Sequence, residues 1–239
     1  MRNLYERFPF IKDLKPKRRQ QFEEYFYGAP LWVLDSCRVV HMAKNQILVK
    51  ENAIANTIYF VGSGVIKAVD YRVFGIAYDF MRFDDVYAFG GLEVLTKDRL
   101  YRTTLQTGSE CVVLKMPREI FEKWLDADPR VLRLEAMNVS KYLLEQARRS
   151  RACIFLQGPD RLGYILLDMY ERQQTKGILT MRIPQEELAE LCGVSVKTVY
   201  RSFKLFEKNG WITRNGRIFT MNEQQYELCG KYISSIVER

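Results

Sequence analysis

The chain changes its hydrophobic rhythm at Pro117, and that change limits the folds open to it. Before it, from about residue 31, short runs rich in Val, Ile, Tyr and Phe recur over 47–49, 57–61, 65–71, 76–82, 103–107 and 111–116. Turn signals separate them, among them Asn45-Gln46, Gly62-Ser63-Gly64 and Asp84-Asp85. Short strands at such even intervals build an all-β barrel or sandwich, and the Gly62–Gly64 stretch is expected to close a hairpin. Residues 1–30 read as helical, with Pro9, Pro16 and Pro30 as punctuation. Past Pro117 the period becomes that of helices.

Residues 118–125 form one helical segment, and Pro129 opens a longer one. From 129 to 151, Leu132, Ala136, Val139, Leu143, Gln146 and Ser150 follow at steps of 4 and 3, a heptad seam that is apolar in its first members. Such a seam either packs against its own domain or pairs two subunits. On the second, preferred reading Leu132, Ala136, Val139 and Leu143 are dimer contacts. Gly158-Pro159 then interrupts the helix and marks a domain boundary. The expected organisation is a barrel over 1–125, a helix and hinge over 126–157, and a C-terminal domain over 158–239.

That last domain carries the most specific signal. An amphipathic helix over 160–174, a short strand over 179–183 and helices over 185–192 and 196–209 precede "WITRNGRIFTM". Asn215-Gly216 between two alternating runs is a strong hairpin signal. In "PQEELAELCGVSVKTVYRSFKLF" the apolar Leu188, Cys192, Val194 and Val199 close two helices on each other, and Ala189 lets them cross closely. Gly193 permits the left-handed turn between them. Ser195 stands where an N-cap would serve the second helix. Val199, Phe203 and Phe206 make its buried stripe, leaving Val196, Lys197, Thr198, Tyr200, Arg201 and Lys204 facing out. That is the layout of a recognition helix, whose first residues enter a DNA major groove. Arg214, Asn215 and Arg217 of the following hairpin would be a wing on the DNA backbone. Ser202 occupies a position where an aliphatic residue is the usual choice for this motif.

Over roughly 20–230 the chain resembles the bacterial Crp/Fnr family of transcription regulators. The resemblance is carried by "GVSVKTVYRSFKLFEKNGWI", "IYFVGSGVIKAV" and "FGGLEVLTKDRLYRTT". It implies an α+β chain: an N-terminal double-stranded β-helix (jelly-roll) barrel of the cyclic-nucleotide-binding type, a long dimerisation helix and a C-terminal winged helix–turn–helix. It places base reading on Ser195, Val196, Lys197, Thr198 and Arg201, with Arg201 matching an arginine that contacts guanine. Lys197 stands where the best-known members carry a glutamate that accepts from cytosine, and a lysine has no acceptor. Around the effector, the family's glycine–glutamate–leucine run becomes Gly90-Gly91-Leu92 and its arginine–serine pair becomes Arg102-Thr103. Its adenine-facing positions become Gln146 and Ala147. Cyclic AMP is therefore not the expected effector; an unidentified small molecule, held if anionic by Arg102, takes its place. The implied partners are near-palindromic double-stranded DNA and a second copy of the chain, and the resemblance admits RNA polymerase. A scaffold module whose winged helix contacts protein is the alternative.

Composition agrees with this. Lys and Arg number 37 against 29 Asp and Glu, a net charge of +8 that favours a polyanionic partner. The 5 cysteines, Cys37, Cys111, Cys153, Cys192 and Cys229, are widely spaced without a CxxC, as expected of free thiols in a reducing cytoplasm. No run reaches the roughly 18 apolar residues of a membrane span. His41 is the only histidine, and neither GxSxG nor HExxH occurs. The expected protein is not an enzyme and holds neither haem nor an iron–sulfur cluster.

Overall fold

The computed structural model describes the backbone of residues 2–73, 76–83, 85–216 and 218–237, and their side chains except at 2, 3, 71–80, 148–155 and 237. The chain divides into two compact units, Met1–Val69 with Met81–Glu145, and Asp70–Phe80 with Gln146–Arg239.

The first unit opens with α1 (Arg2–Arg7), a 3-10 turn (Pro9–Asp13), α2 (Pro16–Tyr25) and α3 (Leu31–Ser36). The strands follow: β1 (Arg38–Met42), β2 (Ile47–Val49), β3 (Thr57–Ser63), β4 (Ile66–Val73) and β5 (Ile76–Phe83), of which residues 70–80 are counted with the second unit, and β6 (Ala88–Phe89). A short helix α4 (Gly91–Leu95) separates these from β7 (Thr104–Thr107) and β8 (Cys111–Pro117). They form two four-stranded sheets, ordered β1-β8-β3-β6 and β2-β7-β4-β5, the eight-stranded jelly-roll arrangement. The pairings of β8 with β1 and β3, and of β7 with β2 and β4, are antiparallel.

Two expectations change. Residues 31–36, grouped with the strand-rich region, are helical, and Val33 and Leu34 are its buried members. The Gly62–Gly64 turn closes no hairpin, because β3 already has β8 and β6 on its two edges. The chain instead crosses to the other sheet, where β4 pairs β7.

Helix α5 (Arg118–Ala127) buries Phe121, Trp124 and Leu125, the i, i+3, i+4 stripe of an amphipathic helix. Trp124 lies 5.4 Å from Phe26, 6.2 Å from Tyr25 and 6.3 Å from Phe121, ring centre to ring centre. The long helix α6 (Pro129–Phe155) begins in this unit and turns Val131 and Glu135 inward.

The second unit holds α7 (Gly158–Gln173), β9 (Ile178–Met181), α8 (Gln185–Cys192), α9 (Val196–Lys208), β10 (Thr213–Asn215), β11 (Ile218–Asn222) and α10 (Glu223–Val237). Its sheet runs β10-β11-β9. Leu162 and Leu166 of α7, Leu188 of α8 and Phe203 and Phe206 of α9 share one core with Met221 and Cys229. The expected hairpin forms, but Asn215 pairs with Ile218 and so belongs to the strand and not to the turn. Among the described residues no helix is long and apolar enough to cross a membrane.

The Trp124 indole nitrogen is buried without a hydrogen-bond partner, so the ring contributes by packing alone. Trp124→Ala should destabilise the first unit by about 3–5 kcal/mol. Trp124→Phe should cost clearly less, because it removes an unsatisfied donor along with some volume. Urea unfolding followed by circular dichroism measures both.

Candidate nucleic-acid interface and effector cavity

Helix α8 ends at Gly193, whose φ of 62° and ψ of 39° are left-handed. Val194 then donates its N–H to Ala189 O at 3.1 Å and Gly193 donates to Glu190 O at 3.3 Å, a closure of the Schellman kind that a β-carbon would strain. Two residues on, the Ser195 hydroxyl accepts from the Thr198 N–H at 3.2 Å and caps α9. Turn and cap together set where α9 begins and which face it presents. Val199, Phe203 and Phe206 are fully buried, while Val196, Lys197, Tyr200, Arg201 and Lys204 are exposed and Thr198 is half-buried. The outward side chains of α9 therefore lie along one solvent-facing surface. Ser202, the misfit, is buried, and its hydroxyl donates to Thr198 O at 2.8 Å, so the polar group is satisfied inside the helix.

The Lys204 ammonium lies 4.7 Å from the centre of the Tyr200 ring, and its hydrogen bond holds the phenol below the usual tyrosine range. The wing is fixed to α9 by Phe203 and Phe219, stacked 4.0 Å apart. Arg214 lies over the Phe219 ring at 5.4 Å and donates to Gly216 O at 3.0 Å, and Asn215 is exposed beside it. Arg217 lies outside the described residues. A groove lined by Arg182, Pro184, Gln185, Arg214 and Phe219 runs beside the wing. Exposed Arg182 is a second cation on that side which sequence reasoning missed. It precedes Pro184 at the end of a short strand, and only the pairing of β9 with β11 brings it to the wing.

In the first unit a cavity of about 80 Å3 lies between the barrel and the inward face of α6. Gly90, Leu92 and Thr103 line it, as does Val139, one of the expected seam residues. Gly91 is buried and is not among the lining residues. Arg102 is not among the lining residues: its side chain is 65% exposed and forks onto Asp98 at 2.9 and 2.7 Å. That pairing holds the Asp98 carboxyl below its usual range. Gln146 also stands outside the cavity lining and belongs to the second unit.

Sequence reasoning missed Glu135. It is 1% exposed, lines the cavity and accepts a hydrogen bond from the buried Tyr25 hydroxyl. Burial pushes its carboxyl up from 4.5 to about 7, against the opposing pull of Tyr25. Burial first, and then the Glu135 charge, push the Tyr25 phenol up in turn. A β-carbon on Gly91 would collide with Glu135 Oε1, so the carboxyl fills the space in front of that glycine. Position 135 lies off the heptad seam, which is consistent with its inward direction.

Residues 39–128 match the cyclic nucleotide-binding domain, and residues 160–225 match the Crp-like helix–turn–helix domain. The two together define a transcription regulator with a ligand-binding-type barrel and a DNA-binding winged helix. The chain belongs to the Crp/Fnr family. It is similar to the cAMP-activated global transcriptional regulator CRP of Pasteurella multocida, 21% identical over 193 residues, 78% of this chain and 90% of that one. It is also similar to the nitrogen fixation regulation protein FixK of Azorhizobium caulinodans, 23% identical over 182 residues, 72% of this chain and 69% of that one. In fold it resembles the c-di-GMP responsive global regulator CLP of Xanthomonas campestris, with a TM-score of 0.68 at 20% identity over 79% of this chain and 95% of that one.

Two outcomes follow from this geometry. Ser195→Ala should cost about 1 kcal/mol in the stability of the second unit, and Ser195→Asp should restore most of it; thermal unfolding distinguishes the two. Glu135 binds its proton more tightly folded than unfolded. Its contribution is therefore fully present below the unfolded value near 4.5 and is lost as pH rises through about 7. The stability of the first unit should fall over that window by a few kcal/mol, on the order of 3. In Glu135→Gln that decline should be absent, as read by urea midpoints between pH 4.5 and 8.

Proposed function

We propose that this regulator is a non-enzymatic homodimer that binds a near-palindromic DNA site in the cytoplasm, under the control of a small effector held in the barrel cavity. The observation that carries the reading is the exposed outer face of α9, where Lys197, Arg201 and Lys204 stand together opposite a buried side made of Val199, Phe203 and Phe206 with the self-satisfied Ser202. Charge on one face of a capped helix, with its anchoring stripe buried, is what insertion into a major groove requires. Ser195, Val196 and Thr198 begin that helix and would approach the bases first. Arg201 donates to guanine, and Lys197 donates to a base edge or a phosphate. Arg214, Asn215 and Arg217 would follow the DNA backbone from the wing, with Tyr200 and Lys204 on the flanking phosphates.

The outer face of α6 supports the dimer. Leu132 and Leu143 are 40% and 47% exposed, and Ala136 lies exposed between them. Apolar groups at these steps stabilise a helix pair once a second copy covers them. The two recognition helices then reach half-sites one helical turn apart, roughly 34–36 Å. RNA polymerase is the protein partner that a regulator so placed would contact.

Binding to a selected palindrome, titrated against salt, tests the reading. Affinity should fall steeply with salt, since counterions are released from the phosphates. Arg201→Ala should cost about 1–3 kcal/mol and relax preference at one base pair, whereas Lys204→Ala should weaken all sequences alike and reduce the salt slope by about 1. Equal affinity for every sequence, or affinity indifferent to salt, would refute specific DNA recognition.

A further inference from the structure

The cavity beside α6 has a chemistry unlike that of a phosphate site. Its carboxyls are Glu93 and Glu135, and among the described residues lining it there is no lysine, arginine or histidine. Glu93 is 6% exposed and already accepts from the Arg102 backbone N–H at 2.9 Å. The Arg102 guanidinium itself points elsewhere, onto Asp98. An anion brought into this space would meet two buried carboxyls with no opposing charge among the described lining residues, which is strongly unfavourable.

The rest of the described wall is aromatic and aliphatic, with Thr103 and Asn138 as uncharged polar groups. Phe83 lies 5.2 Å from Tyr87, 5.1 Å from Phe89 and 5.6 Å from Tyr142, and all four line the cavity. Such rings accept an apolar body by stacking or edge contact, and a cationic head by their negative faces. The volume, about 80 Å3, is well below the roughly 300–1,000 Å3 of pockets for drug-sized ligands. Glu135 also takes the place in front of Gly91, so a carboxyl is present there but arrives from α6 instead of from position 91. A buried carboxyl, a largely aromatic and aliphatic wall and, among the described lining residues, no cation define the site.

We infer that this cavity takes a small apolar molecule about one ring in size, whose hydroxyl or amine head donates to Glu135, and excludes ligands that carry a phosphate. The inference rests on the reading of the barrel as the effector-sensing unit and gives that reading its ligand class.

Benzyl alcohol, benzylamine and benzoate share a ring and differ in the head group, and they can be compared with inorganic phosphate and cyclic AMP on the full chain. Thermal shift and calorimetric titration should show saturable binding of benzyl alcohol and benzylamine, and none of benzoate, phosphate or cyclic AMP. Glu135→Gln should weaken benzylamine by about tenfold or more. Tyr142→Leu, at a half-buried position, should weaken both ring probes and gives a second test if the first variant does not fold. Binding of phosphate or cyclic AMP, benzoate binding as tightly as benzylamine, or no binding by any probe would overturn the inference. DNA titrations on the same samples separate the two levels. Probe binding that leaves DNA affinity unchanged refutes effector control and keeps the ligand class, whereas loss of probe binding with intact DNA recognition refutes the ligand class alone.

Discussion

At Gly193 the backbone turns through a left-handed conformation, and two residues later the Ser195 hydroxyl takes the Thr198 N–H. These constraints fix both the end of α8 and the start of α9, and so the rotation of α9 about its own axis. Once that rotation is set, Val199, Phe203 and Phe206 face the core and the basic residues face out. The wing follows, because Phe219 stacks on Phe203 and brings Arg214 to the same side. A short stretch of backbone geometry thus positions the whole interacting surface of the second unit.

The two units place their polar groups differently. In α9 the buried Ser202 hydroxyl bonds to its own helix, which neutralises its cost without adding function. In the barrel the buried Glu135 carboxyl has Tyr25 on one side and a cavity on the other. A carboxyl with its proton affinity raised by burial, at the wall of a cavity, is a candidate for ligand recognition in a way that Ser202 is not. Gly91 is the complement of that carboxyl, since any side chain there would occupy the same space.

Much of the fold was legible because it follows from local rules. Alternation marked most of the strands, the left-handed glycine and N-cap marked the helix–turn–helix, and Asn215-Gly216 marked the hairpin to within one residue. What local rules do not carry is sheet assignment. The Gly62–Gly64 turn has hairpin chemistry, yet the edges of β3 are taken by strands distant in sequence. The same limit applies to the sites. The exposed face of α9 follows from helical period alone. The cavity needs Glu135, Tyr25 and Gly91 together, and their proximity depends on how α2, α4 and α6 pack. Arg102 illustrates the converse, since its match in sequence does not reveal that Asp98 holds it outside the cavity.

In the proposed dimer, α9 is presented to DNA as a pair of recognition helices. Hydroxyl-radical footprinting of the full chain on a selected near-palindrome tests it most directly. Two equivalent protected segments related by the dyad, with centres about 10–10.5 base pairs apart, are the expected result. Protection of a single half-site, or uniform protection without a dyad, would contradict it.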